Sequence, residues 1–263
     1  MAVTAQMVKE LRERTGVGMS DCKNALVEAN GDMEAAIELL RKKGLAKAAK
    51  RAGNETNEGK IKIETDGNTA YVAVVTCETD FVARNETFDG MLTHFIDLRK
   101  AASSDEEAIA KAEELKASEY TLKVGENMVI KTLSKIEGEV LASYVHSNFK
   151  NAAVVVAKAG TDAEKLKQVA MHVVAMNPQV VSPSDISDEV VAKEKDIQLA
   201  IMKEDPKNAG KSDDILSKII EGKMKKFREE NALLTQPFVV NPDQTVGDFI
   251  GNDSIVAFYR YAI

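Results

Sequence analysis

At Gly59 the hydrophobic period of the chain changes from that of a helix to that of a strand, and this switch limits the folds open to it. Before it, apolar residues recur at helical spacing: Met7, Val8 and Leu11; then Cys22, Ala25, Leu26 and Ala29; then Ala36, Ile37 and Leu40. Thr4 and Asp32 stand where caps are wanted, and Gly16 and Asn30-Gly31 where helices stop. The pattern predicts a compact bundle of three short helices, with Arg41, Lys42 and Lys43 closing the third at its negative dipole end. A short helical linker, Leu45 to Ala52, and a breaker-rich joint, Gly53 to Gly59, follow.

Beyond the switch, Ile61 and Ile63 alternate with charges, Asp66-Gly67-Asn68 supplies turn chemistry and Ala70 to Val75 is a strand run, so a β-hairpin is expected. Two helices come next: one carrying Phe88, Met91, Leu92, Phe95 and Leu98, the other running from Asp105 to Ser118. The order recurs further on: strands from Gly138 to near His146 and over Ala152 to Ala157, then a capping box, Thr161 to Glu164, opening a helix to Met176. Two similar hairpin-plus-helix halves are expected. Between them and the C-terminus, Asp188 to Glu204 and Asp213 to Asn231 are charged helices with sparse stripes, Val190, Ile197 and Ile201 on one and Leu216, Ile220 and Phe227 on the other. Joined across Asp205-Pro206-Lys207-Asn208, they predict an antiparallel helical hairpin, an arm with too thin a stripe to be core. Gln236 to Val240 reads as extended, Thr245 to Ile250 as a short helix, and Ser254 to Ile263 as a strand completing a sheet, with Ile255, Ala257, Tyr259 and Tyr261 on one face.

The fold class is therefore α+β. Three segments divide it: residues 1–53, the helical domain and its linker; 54–137, the first half of the core; and 138–263, the second half, containing the hairpin 188–231.

Composition narrows the function classes. No apolar run reaches the ~20 residues of a membrane helix, and Met1 to Thr4 begins neither a secretory nor a transit segment, so the expectation is a cytoplasmic protein. The net charge of −7 argues against direct nucleic-acid binding, although Arg41 to Arg51 holds six basic residues and no acid, read as a solvated face. The two cysteines and three histidines are dispersed, without metal-ligand spacing. Gly210-Lys211-Ser212 resembles the end of a phosphate-binding loop, but Asp205 replaces the required glycine; Gly16-Val17-Gly18 meets Asp21 where a dinucleotide fingerprint needs its third glycine. No nucleophile stands in a catalytic signature. No cofactor, metal or enzymatic activity is expected.

One segment points to contact. Cys77 to Asn85 (CETDFVARN) places Asp80 and Phe81 at the corner between a valine-rich strand and a helix. Two readings stand side by side: an exposed aromatic with an acid beside it, able to enter a partner's pocket, or a helix start in which Thr79 or Asp80 caps and Phe81 folds back onto its own core.

Taken in order, Val8 to Leu26 (VKELRERTGVGMSDCKNAL), Thr79 to Arg84 (TDFVAR), Tyr144 with His146, Met171-His172-Val173, Glu221 to Met224 (EGKM) and Gln236-Pro237-Phe238 resemble the bacterial translation elongation factor Ts family over essentially the whole chain. The resemblance implies a ubiquitin-associated-like helical domain, a two-part α+β core and a coiled-coil insertion. It also implies a guanine-nucleotide exchange factor that grips the GTPase elongation factor Tu, with Asp80 and Phe81, flanked by Thr79 and Val82, displacing the GTPase's magnesium. His146 would be a second core contact, with Met19 and Lys23 on an N-terminal docking surface; a homodimer within a larger complex stays open. Ser20 stands where the family commonly has a second methionine, and Phe149 to Ala153 replaces a glycine-bearing segment after the histidine. The alternative from another class is a non-enzymatic adapter, its helical module binding ubiquitin-like or other partners on an α+β scaffold; a metabolic enzyme is the third reading.

Overall fold

A computed structural model describes residues 2–204 and 213–263. The stretch Asp205 to Asn208 and the Gly210-Lys211-Ser212 fragment lie outside the described residues. The architecture is α+β, three helices followed by mixed sheets and helices, and it separates into two compact units. Unit one comprises Met1–Ile136 with Ser147–Asn151 and Tyr261–Ile263; unit two comprises Glu137–His146 and Ala152–Arg260. Among the described residues no helix is long and apolar enough to cross a membrane.

Unit one opens with α1 (Ala5–Thr15), α2 (Met19–Glu28) and α3 (Met33–Arg51). Thr4 caps α1 by accepting from the Met7 amide at 3.3 Å, and Asp32 caps α3 by accepting from Ala35 at 3.0 Å. Val8, Leu11, Cys22, Ala25, Leu26, Ala36 and Leu40 make the small core that the spacing predicts. The separate linker helix is corrected, because α3 runs through Gly44 without a break. Gly44 is buried, and a Cβ there would come within 2.9 Å of the Ala117 carbonyl oxygen, so a glycine that ordinarily weakens a helix is here what allows close packing.

Strands β1 (Glu58–Asp66) and β2 (Thr69–Cys77) pair antiparallel about the expected turn, with Ile61 opposite Val74 and Ile63 opposite Val72. After the single turn α4 (Asp80–Ala83) come α5 (Glu86–Ala101) and α6 (Asp105–Leu115). The second of these does not end at Ser118. It widens into a π turn over Lys116–Tyr120 and resumes as α7 (Thr121–Val124). The wide turn accompanies an inward Tyr120, buried and hydrogen-bonded through its hydroxyl to His94 Nδ1. A strand unforeseen in the sequence, β3 (Met128–Glu137), completes the sheet in the order β1-β2-β3. Its Lys131 and Lys135 dilute the alternation, and only Met128, Leu133 and Ile136 are buried. Phe88, Met91, Leu92, Phe95 and Ile96 of α5 pack on Ala73 and Val75 of β2; each such side chain contributes about 1.5–3 kcal/mol on burial.

Unit two carries β4 (Val140–Val145) antiparallel to β5 (Asn151–Ala157), then α8 (Ala163–Met176). The cap of α8 is Asp162, accepting from the Glu164 and Lys165 amides at 2.9 and 3.1 Å, and not Thr161, whose hydroxyl donates to the Lys158 carbonyl. An aspartate one position nearer the helix reaches its free amides more directly. Leu166, Val169, Ala170 and Val173 face Ala153, Val155 and Ala157.

The hairpin helices are α9 (Asp188–Glu204) and α10 (Asp213–Asn231), running antiparallel as the pairs Asp188–Arg228 and Gln198–Lys223 show. The expected α9 stripe is corrected: Val190, Ile197 and Ile201 are exposed, and the seam is made by Val191, Leu199 and Met202 against Leu216, Ile220 and Met224. At the base Arg228 ties α10 to the start of α9, donating to the Pro183 and Ile186 carbonyls and to Asp188. Strands β6 (Pro237–Phe238) and β7 (Asn241–Thr245), the capped α11 (Val246–Ile250) and β8 (Ile255–Ala262) close the unit, the last joining β5. In β8 the inward set is Ile255 with Phe258, while Tyr259 is exposed.

Candidate partner-binding site

The valine run of β2 ends at Cys77, whose thiol is buried and pushed up to about 12 by burial and by the charge of Glu126. Thr79 then leaves the sheet in an extended conformation and caps α4, its Oγ1 accepting weakly from the Val82 amide at 3.4 Å. Local capping and surface display therefore coexist. Ala83 turns inward and Val82 packs partly on the core, while Phe81, one position before, is 83% exposed. A one-turn helix with its second residue on the solvent side cannot fold that ring back, so the inward alternative for Phe81 fails. Asp80 is half-buried and meets Arg84 at 3.4 Å, an i,i+4 pair mostly in solvent and worth little.

Two carboxylates bolt the corner in place. Thr79 donates both its amide, at 2.9 Å, and its hydroxyl, at 2.6 Å, to Glu126. Reciprocally, the Asn127 amide donates to Glu78, which also receives the Asn54 side-chain amide at 3.0 Å and Arg51 at 3.4 Å. These donors, the Asn127 amide foremost, hold the Glu78 carboxyl below the usual carboxylate range. Glu126 reaches Thr79 because α7 ends at Gly125 in the left-handed conformation, φ 79°, turning the chain between α7 and β3. Neither glutamate stood out in the sequence. Glu126 lies 47 positions from Thr79, and a contact of that separation leaves no local pattern.

The remaining candidates sit on other elements. Met19 and Lys23, one helical turn apart, occupy the exposed face of α2, opposite Cys22, Ala25 and Leu26; the bundle core behind them is separate from the cluster beneath the corner. His146 follows β4 in unit two and is exposed, its Nδ1 3.0 Å from the Tyr144 hydroxyl, with the rings edge to face. Three of the expected site residues are thus contiguous with Thr79 on the corner, two share α2, and His146 belongs to the other unit.

Among the described residues no group of three His, Cys, Asp or Glu is placed to hold a metal ion. What the corner presents is an exposed ring, a carboxylate and a hydrogen-bonded support. The family model for elongation factor TS matches residues 78–263, beginning one residue before Thr79. Elongation factor Ts of Serratia proteamaculans (strain 568) is 44% identical over 99% of this chain and 91% of its own length. The elongation factor Ts of Salmonella newport (strain SL254) shows the same identity and coverage. The chain belongs to the elongation factor Ts family, and is a translation elongation factor of the nucleotide-exchange kind, not an enzyme.

Proposed function

We propose that the chain binds the GTPase elongation factor Tu and promotes GDP release by prying at the magnesium site with Asp80 and Phe81. The observation that carries the reading is the 83% exposed ring of Phe81, held one residue from Asp80 on a turn that Thr79 caps and Glu126 anchors. A large ring exposed to water has little to gain at that place in the monomer and much to gain in a partner's pocket. Asp80, released from its weak pair with Arg84, competes for the cation or its ligands, and without the metal the β-phosphate loses its main counter-charge. Val82 and Thr79 fix the pitch of the wedge. Met19, Lys23 and His146 are proposed as further contacts that keep it seated.

Exchange requires no bond chemistry. Factor and nucleotide each weaken the other's hold on the GTPase, and linkage makes the effect reciprocal. Every tenfold acceleration demands ~1.4 kcal/mol of differential stabilisation. A buried aromatic anchor supplies ~2 kcal/mol or more of that. Phe81→Ala is therefore expected to lower the exchange rate at saturating factor by about 30-fold while weakening binding to the GTPase less. Stopped-flow release of a fluorescent GDP, beside calorimetric titration, measures the two. An unchanged rate for Phe81→Ala rejects the wedge, and wild-type chain that fails to speed release rejects the function.

A further inference from the structure

Beside the corner, the segment Ser147–Asn151 of the same unit carries a second exposed aromatic, held in a backbone conformation that bulky residues avoid. Phe149 has φ 58°, the left-handed region that bulky side chains avoid, and its ring is nearly half exposed. The backbone is fastened there. Its carbonyl accepts from the Ile61 amide at 2.8 Å, the next residue accepts from the Ile263 amide at 3.0 Å, and Lys150 Nζ meets Glu58 at 2.5 Å. Asn148 Oδ1 further accepts from the Lys150 amide. The Lys60 ammonium lies 4.4 Å from the ring centroid and is itself paired with Asp89 at 2.6 Å.

Phe149 also lines a cavity of about 380 Å³ together with Asp80, Ala83 and Arg84 of the corner. The charges lining that cavity have partners within the chain, Lys150 with Glu58 and, weakly, Arg84 with Asp80, so the apolar recognition element on its wall is Phe149, nearly half of which stays exposed beside the Lys60 ammonium. From this we infer that Phe149 is a second anchor of the same surface, receiving an apolar side chain of the GTPase that Asp80 and Phe81 engage. The inference rests on the proposed exchange function, and it divides the labour: Phe81 drives displacement, Phe149 supplies affinity. Continuity decides the occupant, because whatever protein meets Asp80 also covers the cavity wall that Asp80 shares with Phe149.

Asparagine and glycine both accept φ near 58° without a bulky side chain, so Phe149→Asn and Phe149→Gly preserve the turn while removing the ring. GDP release from elongation factor Tu is followed over a range of factor concentrations for wild type, both variants and Phe149→Tyr, with melting temperatures alongside. Expected are melting within a few degrees of wild type, a half-maximal concentration raised about tenfold in both ring-less variants, and a saturating rate within about twofold of wild type. Phe149→Tyr retains wild-type behaviour. An unchanged half-maximal concentration, or a fall confined to the saturating rate, overturns the inference while leaving the exchange function standing. A wild-type chain without effect on GDP release overturns both.

Discussion

Glu126 illustrates how little of a binding site need touch the partner. Its two oxygens take both donors of Thr79, and Thr79 sets where Asp80 and Phe81 begin. Removing the carboxylate strands a part-buried amide and hydroxyl, so Glu126→Ala is expected to cost about 1–3 kcal/mol of stability. If the anchor positions the wedge, the same variant lowers the saturating exchange rate about tenfold, and Glu126→Gln, which keeps one acceptor for the Thr79 amide but turns an NH2 donor toward its hydroxyl, recovers only part of both losses. Denaturant melts and GDP-release kinetics on the two variants check this; equal rates for wild type and Glu126→Ala would reduce the glutamate to a stability role. The acid and ring at the corner were visible in the sequence because nine consecutive residues carry them. Their anchors were not, because the partner of Thr79 comes from the turn beyond α7.

At the scale of elements, spacing identified the helices and hairpins but not always their faces or ends. α9 has apolar residues on two faces, Val190 with Ile197 and Ile201, and Val191 with Leu199 and Met202, and periodicity alone could not choose between them. The choice shows only in the packing against α10, whose base Arg228 ties to Pro183, Ile186 and Asp188. That base is also tied by the Asn231 carbonyl, which accepts from the Gln179 amide, and by the bridge of Val180 to Ala232. The arm and its base should therefore separate in deletion experiments. Replacing residues 190–226 by a short linker is expected to leave one cooperative melt within about 1 kcal/mol of wild type. Extending the deletion through Arg228 and Asn231 should lose about 1–3 kcal/mol, as part-buried carbonyls and amides lose partners. Loss of cooperativity in the shorter deletion would show that the hairpin seam belongs to the core.

Across the whole molecule, stability is coupled to pH through His172, buried in unit two. Its Nδ1 accepts from the Val239 amide at 3.1 Å, so its Nε2–H faces Gln236 Oε1 at 2.9 Å and the ring is neutral. Burial lowers its proton affinity below that of an ordinary histidine. The unfolded chain consequently takes up the proton first as pH falls. The contribution is complete above the ordinary value of about 6.5 and declines below it, by up to ~1.4 kcal/mol per pH unit, until the lowered folded value is reached. Comparing wild type with His172→Gln by urea denaturation at pH 7.5 and pH 5 isolates the effect: the wild-type advantage should shrink at the lower pH, and a constant difference would refute it. What the residues determined by themselves was whatever a short window encodes: the three-helix start, the hairpins, the order of elements, and a family likeness spread along the chain. Tertiary structure decided the rest. It carried α3 straight through Gly44, turned α6 into a π bulge, recruited the lysine-diluted β3, rotated α9 onto its other stripe and brought Glu126 to Thr79. Each of those outcomes depends on an atom supplied from a distant segment, whose nearness is a product of the folded packing and has no counterpart in local spacing.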